Sequence, residues 1–233
     1  MEQSVELSRR LQEVVSCVSC YPVADVGTDH GYVAIALAQK ETGKVFGSDV
    51  NAGPLFHARE NVARFGVEEK VELRLGSGLT PFQRGEIRSA VFAGMGGMLI
   101  LRLLEEKREV TDGLEELVLS PQQDIPAVRK GVEALGFGII EEKMLKEDGK
   151  YYVIIHCRRG AVPYTKPIDY LYGGKLLEEK NLVLLAFLRE EEKRVHTIAR
   201  RLKAAQTPKA QERLREVEQE SILIQEAVAC LQH

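Results

Sequence analysis

Apolar positions along the chain fall into two regimes. Up to about residue 158, short apolar runs of strand length alternate with stretches of helical spacing; beyond about residue 175 only the helical spacing remains. Within Ser4 to Val18, positions 5, 7, 11, 14, 15 and 18 are apolar, which predicts a first helix with one buried face. Tyr21-Pro22-Val23-Ala24 predicts a strand, and Val33 to Ala38 the helix after it. Lys44 to Asn51 reads as a second strand ending in an acid. Asn51 or Gly53-Pro54 then opens a helix that runs through Phe65 and stops at Gly66. Val71 to Leu75 alternates and predicts strand three; Leu79 to Arg88 is connection; Ala90 to Ala93 is strand four; Leu99 to Glu106 is helix. Leu117 to Leu119 predicts a buried fifth strand. Asp124 is placed to cap a helix with Pro126 in its first turn, ending at Gly136. Gly138 to Leu145 and Tyr151 to Arg158 are two further strands joined by a turn over Lys146 to Lys150.

Five βα units and a closing hairpin make an α/β fold with a seven-stranded, mostly parallel sheet and one antiparallel strand. Dehydrogenase halves do not usually end in such a hairpin, whereas Rossmann-like methyltransferases do. Residues 1–160 are expected to form this domain. Residues 161–174, with Pro163, Pro167 and two closing glycines, read as a linker. In residues 175–233, Leu177, Asn181, Leu184, Leu188, Glu191, Val195, Ile198 and Leu202 follow a 4-3 spacing. So do Leu214, Val217, Ser221, Ile224, Val228 and Leu231, after a break at Gln206-Thr207-Pro208. An antiparallel, coiled-coil-like helical hairpin is expected there.

Chemistry concentrates at Asp25-Val26-Gly27-Thr28-Asp29-His30-Gly31-Tyr32, between the first strand and its helix, where such folds bind a nucleotide-like ligand. Its carboxylates would repel a pyrophosphate. They suit a ligand carrying an ammonium or sulfonium group, such as S-adenosylmethionine (SAM). Gly27, Thr28 and Gly31 offer backbone groups, and Asp25 or Asp29 can face the ammonium; capping of the next helix is the structural alternative for Asp29. His30 is a ligand contact or simply a bonded histidine. Asp49, about twenty residues on, stands where ribose hydroxyls are accepted, with Val50 and Asn51 beside it. Ser77 and Gly78 in the loop after strand three, and Ala93, Gly94, Met95 and Gly96 after strand four, complete the candidate cofactor set. Packing is the structural alternative for Met95. Arg10, on the first helix, can reach a carboxylate or a phosphate, or be a surface residue.

The segments DVGTDHGY, SDVNAGPLFHARENV, LGSGL, FAGMGGMLI and LVLSPQQDIPAVRKGVEALGF follow one another in an order that resembles the bacterial tRNA (adenine-22-N1)-methyltransferases. The resemblance is close from about Leu7 to Arg158 and looser over the C-terminal helices. It implies a class I SAM-dependent methyltransferase acting on N1 of adenine 22 in tRNA, with Asp29 near the target amine as the candidate catalytic residue. Two places depart from the family pattern. Ser77 stands where an Asp is usual, and Ser120-Pro121-Gln122-Gln123 where Pro-Asn is usual.

Charge adds one local signal. The net charge is −3, which excludes a globally basic nucleic-acid binder. Between Lys193 and Arg215, however, eight basic residues (Lys193, Arg194, Arg200, Arg201, Lys203, Lys209, Arg213 and Arg215) face one acid, Glu212, a net of +7. A one-sign block on an otherwise acidic hairpin points to tRNA phosphates; a solvated helical surface is the plainer alternative. No apolar run reaches the ~18 residues of a membrane span. The four cysteines do not form a disulfide framework, so a cytoplasmic protein is expected. Cys17 and Cys20 form a lone C-x-x-C without the second pair a zinc site needs, and His57, His156 and His196 fit no metal spacing. No required metal is expected. A monomer is the favoured state. A small-molecule methyltransferase and a non-catalytic nucleic-acid-binding module are the rival readings. A nicotinamide oxidoreductase is disfavoured by the acidic, glycine-poor loop.

Overall fold

The structure, a computed structural model, describes residues 4–41, 43–205 and 207–232. It forms two compact units, Met1–Tyr164 and Thr165–His233. The first contains α1 (Arg9–Cys17), β1 (Val23–Val26), α2 (Tyr32–Lys40), β2 (Val45–Asp49), α3 (Ala52–Arg64), β3 (Val71–Leu75), β4 (Ser89–Ala93), α4 (Gly97–Glu106), α5 (Arg108–Thr111), β5 (Glu116–Ser120), α6 (Ile125–Ala134), β6 (Phe137–Glu147) and β7 (Lys150–Arg159). The sheet has seven strands in the order β3-β2-β1-β4-β5-β7-β6. Neighbours from β3 to β5 are parallel, and β7 runs antiparallel to both β5 and β6.

The central strands are apolar without alternation because both faces are covered. Val23, Ala24, Ala90, Val91, Phe92, Leu117, Val118 and Leu119 are all fully buried. α2 is buried nearly all round, from Val33 through Ala38. At the other flank, Arg129 of α6 and Glu142 of β6 form a fully buried ion pair at 2.8 Å, and Tyr164 Oη donates to Glu142 at 2.7 Å. The strand order reverses between β1 and β4, which opens a crevice at their carboxyl ends.

The differences from the sequence reading are local. α1 begins at Arg9 rather than Ser4, because the Ser8 hydroxyl accepts the Leu11 N–H and starts the helix there. Asp124 occupies the N-cap position of α6, yet its φ is +58° and its side chain makes no capping bond. α5 is a single turn that carries too little periodicity to be legible in the sequence. The β6–β7 hairpin is longer than expected and closes on Asp148-Gly149, both at positive φ, as a two-residue hairpin turn requires.

In the second unit, part of the expected linker is helical: α7 (Pro167–Tyr172) is followed by α8 (Gly174–Glu178). α9 (Leu182–Ala205) and α10 (Pro208–Gln232) form the antiparallel hairpin. Leu184, Leu188 and Val195 of α9 are buried, as are Ala210, Val217, Ile224, Ala227, Val228 and Leu231 of α10, mostly on a 3-4 spacing. Gln206, within the expected break, lies outside the described residues, as do Met1 to Gln3, Thr42 and His233. Thr207 caps α10, its hydroxyl accepting from the Ala210 N–H at 3.2 Å, and Pro208 is the first helical residue. Among the described residues, no helix is long and apolar enough to cross a membrane.

Candidate functional site

The crevice is built from the turns that follow β1, β2, β3, β4 and β5. After β1 the chain must reverse tightly. Gly27, at φ +75°, and Thr28 both donate their N–H to the Ser48 carbonyl, at 2.8 and 2.9 Å, which ties the turn to β2. Gly31, at φ +79°, closes the turn onto the Thr28 carbonyl at 2.8 Å and stands at the N-cap of α2. Asp29 therefore does not cap this helix. It sits at φ +50° with its side chain largely exposed.

Three carboxylates gather at this turn. Asp25, at 2% exposure, accepts from Thr28 Oγ1 at 2.6 Å and from the Ala34 backbone N–H. Burial pushes its carboxyl up to about 6 against the pull of those two hydrogen bonds, with Asp49 and Asp29 adding to the rise. Asp49, at the end of β2, accepts from the Asp29 N–H at 3.3 Å and the Asn51 N–H at 2.9 Å. Those bonds fix the carboxylate and leave further lone pairs free. His30 is half-exposed, lies 3.8 Å from the Asp29 carboxylate, and has its ring 5.7 Å from that of His57. Val50 and Asn51 are exposed beside Asp49. The turn after β3 is stitched to the same place: Gly76 donates to the Asp49 carbonyl at 2.9 Å, and Ser48 Oγ to the Gly78 carbonyl at 3.5 Å. Ser77 is half-buried there.

The glycine loop Ala93-Gly94-Met95-Gly96 forms the opposite wall. A Cβ on Gly27 would lie 2.2 Å from Met95 Cε, so Met95 packs directly across the crevice onto the first turn. The loop is held by the segment after β5. Gly94 donates to the Ser120 carbonyl at 3.1 Å, Gln122 to the Met95 carbonyl at 2.9 Å, and Gly97 to the Gln123 carbonyl at 3.2 Å. Arg10 from α1 joins this wall. Its guanidinium lies 5.3 Å above the Tyr152 ring, and within 4 Å of where a side chain on Gly94 would begin. Among the described residues, Ser120 Oγ is a buried side-chain oxygen with no hydrogen-bond partner.

The structure thus brings Asp25, Gly27, Thr28, Asp29, His30, Gly31, Asp49, Val50, Asn51, Ser77, Gly78, Ala93, Gly94, Met95, Gly96 and Arg10 to one crevice rim. It adds Ser120, Gln122 and Gln123, which the sequence reading notes only as a departure from the family pattern, and Tyr152. The signal for them is topological: β4 and β5 are consecutive parallel neighbours, with Ala93 opposite Ser120, so their following loops must meet. The donor set suits a cationic nucleoside ligand. Carboxylates line one wall, glycine backbone permits close approach, and the fixed Asp49 offers acceptors for hydroxyls.

The basic residues of the hairpin belong to the second unit. Three of them are paired. Arg194 bonds Glu191 and Glu220 at 2.7 and 2.6 Å, Lys203 lies 3.2 Å from Glu218, and Arg213 bonds Glu216. Lys193, Arg200, Arg201, Lys209 and Arg215 are exposed and make no ion pair among the described residues.

Comparison with known proteins gives the same picture. Residues 7–155 match the family described as methyltransferase domain. The tRNA (adenine(22)-N(1))-methyltransferase of Bacillus subtilis (strain 168) is 30% identical over 96% of this chain and 98% of its own length. The crystal structure of the B. subtilis m1A22 tRNA methyltransferase superposes with a TM-score of 0.85 at 27% identity, over 96% of this chain and 99% of that one. The Streptococcus pneumoniae protein Sp1610, solved in complex with S-adenosyl-L-methionine, superposes with a TM-score of 0.82 at 29% identity, covering 96% of this chain and all of that one. With the seven-stranded sheet, the acidic first turn and this full-length correspondence in hand, the chain belongs to the bacterial tRNA (adenine(22)-N(1))-methyltransferase family.

Proposed function

We propose that this protein methylates N1 of adenine 22 in tRNA, with SAM as the methyl donor. The observation that carries the reading is the acidic, glycine-bounded crevice at the β1/β4 reversal, in a chain that matches an m1A22 enzyme along nearly its whole length. When bound, SAM supplies a methyl group already activated on a sulfonium. The adenine N1 lone pair is available at neutral pH, so neither a metal nor a general base is needed before attack. The protein's task is to orient and to exclude water. On this reading Asp49 accepts the ribose hydroxyls, and the turn Gly27 to Gly31 holds the amino-acid end beside Asp25 and Asp29. Ser77 and Gly78 flank the adenine of the cofactor. Ala93 to Gly96 form the floor between cofactor and target base. Asp29, exposed at the rim, is assigned to orient the exocyclic amine of the target adenine, which sheds a proton after transfer.

Orientation of a whole tRNA needs phosphate contacts. We assign these to Lys193, Arg200, Arg201, Lys209 and Arg215 of the hairpin, with Arg194, Lys203 and Arg213 in reserve through exchangeable surface ion pairs. We assign Arg10, which stacks on Tyr152 beside the glycine loop, to the cofactor carboxylate or a phosphate of the target nucleotide. We read the protein as a cytoplasmic monomer, in keeping with its four free cysteines. Incubation with unmodified tRNA and isotope-labelled SAM, followed by nucleoside mass mapping, tests the assignment. One labelled N1-methyladenine at position 22 is expected. Label on a small metabolite instead, with none on tRNA, would overturn it.

A further inference from the structure

We propose that Cys17, Glu141 and His156 form a binding site for a divalent transition metal, zinc being the best fit, at the far end of α1 from Arg10. One ligand atom from each of Cys17, Glu141 and His156 lies within 4.8 Å of the other two. Sγ to Oε2 is 3.7 Å, and Nδ1 to Oε2 is 3.3 Å. A tetrahedral zinc with ordinary bond lengths of ~2.3 Å to sulfur and ~2.1 Å to nitrogen and oxygen sets those edges at about 3.6 and 3.4 Å. Two of the three ligand–ligand edges therefore already have the length a bound metal requires.

The surroundings have the form that orients metal ligands. His156 is buried, and its Nε2 bonds Glu116 Oε1 at 2.9 Å. Glu116 is fully buried and is held in turn by the Ser19 N–H, the Cys20 N–H and the Ser19 hydroxyl, so it is a fixed carboxylate. A carboxylate on Nε2 fixes the tautomer and turns the other nitrogen toward the metal. Glu141 is positioned likewise: Lys143 Nζ lies 3.6 Å from Oε1, which leaves Oε2 for the ligand position. His156 Nδ1 faces the Glu141 carboxylate at 3.3 Å, and the adjacent thiol favours a soft cation.

Burial pushes the Cys17 thiol up to about 11, so without metal it is an inert thiol rather than a nucleophile. Metal binding replaces its proton, which leaves to solvent. Glu141 is only half-buried, so the site borders solvent. Glu116 begins β5, at the amino end of the strand, whereas the crevice lies at the carboxyl ends. The metal would therefore clamp α1 to β6 and β7 and take no part in methyl transfer. Cys20, the other half of the C-x-x-C, is not in the ligand set.

Full-length protein freed of metal with a chelator is titrated with zinc by calorimetry and with Co2+ by absorption. One metal per chain is expected. Co2+ should give tetrahedral d–d bands and a thiolate charge-transfer band, and zinc should raise the melting temperature. Cys17→Ser should abolish the charge-transfer band, and Glu141→Gln should lower affinity by at least about 10-fold. Cys230→Ser, on the exposed cysteine, should change neither. Binding unchanged in a folded Cys17→Ser variant, or no stoichiometric binding by the wild type, would overturn the proposal and leave a proton-bridged ion network. SAM affinity of metal-free protein should be unaltered, so failure here is separable from failure of the methyltransferase assignment.

Discussion

Replacing Asp25 with asparagine should stabilise the ligand-free protein and weaken its cofactor site in the same step. Asp25 is 2% exposed, and its carboxyl is pushed from an ordinary 3.8 up to about 6, burial being the main cause. An acid whose folded value is raised binds more protons folded than unfolded. Its destabilising effect is therefore absent below about pH 4, grows as pH rises through the window from about 4 to about 6, and is complete above it. The difference corresponds to about 3 kcal/mol at full ionisation, of which about 1.5 is already present near pH 5. Asparagine removes this cost while keeping the contacts in place: its carbonyl can accept from Ala34 N–H and its amide can donate to Thr28 Oγ1. Urea unfolding of both proteins without ligand, from about pH 5 to about pH 7.5, should show the variant pulling ahead by roughly a further 1–1.5 kcal/mol. If the carboxylate serves a cationic cofactor, SAM affinity should fall in the variant, and wild-type affinity should rise over the same pH window as a proton is displaced. A stability gap that stays flat with pH would refute the reasoning, because the effect would then not come from ionisation.

Asp49→Ala should weaken SAM binding by about 1–3 kcal/mol in calorimetry, since it removes the hydroxyl acceptor and frees the Asp29 and Asn51 N–H groups. Arg129→Ala should destabilise the first unit by about 3–5 kcal/mol in denaturant titration, by stranding a fully buried Glu142, whereas Arg129→Met with Glu142→Leu should recover much of that loss. Neutralising Arg200, Arg201 and Lys209 together should lower tRNA affinity and flatten its salt dependence by up to about 2–3 in log–log slope, with SAM affinity unmoved. Equal slopes for variant and wild type would make the hairpin a different kind of surface, and light scattering would then test self-association.

The elements most legible in the sequence are those whose pattern is set by burial alone. Val71 to Leu75 alternates apolar and polar residues and is a strand over those same positions, although burial falls along it and Leu75 is exposed. The central strands read as unbroken apolar runs because helices cover both faces of the sheet. The first turn and Asp49 were legible too, because the βα unit fixes their separation along the chain. The hairpin seam followed from its 4-3 spacing, since α9 and α10 bury a shared apolar stripe along their length.

What the tertiary structure alone decided involves residues joined by strand order or by a cap. Ser8, not the apolar period, starts α1, because a hydroxyl that satisfies an unpaired N–H outweighs a weak helical pattern. Gln122 and Gln123 reach the glycine loop only because β4 and β5 are neighbours, and Arg10 only because α1 brings it beside Tyr152. Part of the charge block at the hairpin tip is compensated by Glu218 and Glu220 from the opposite helix, a pairing that requires the antiparallel register. Cys17 and Glu141 are 124 residues apart, and His156 lies on a third element. Motif spacing records what one segment does alone. Ligands drawn from three segments meet only when burial of the apolar faces has fixed the sheet, and that fixing is a property of the whole fold.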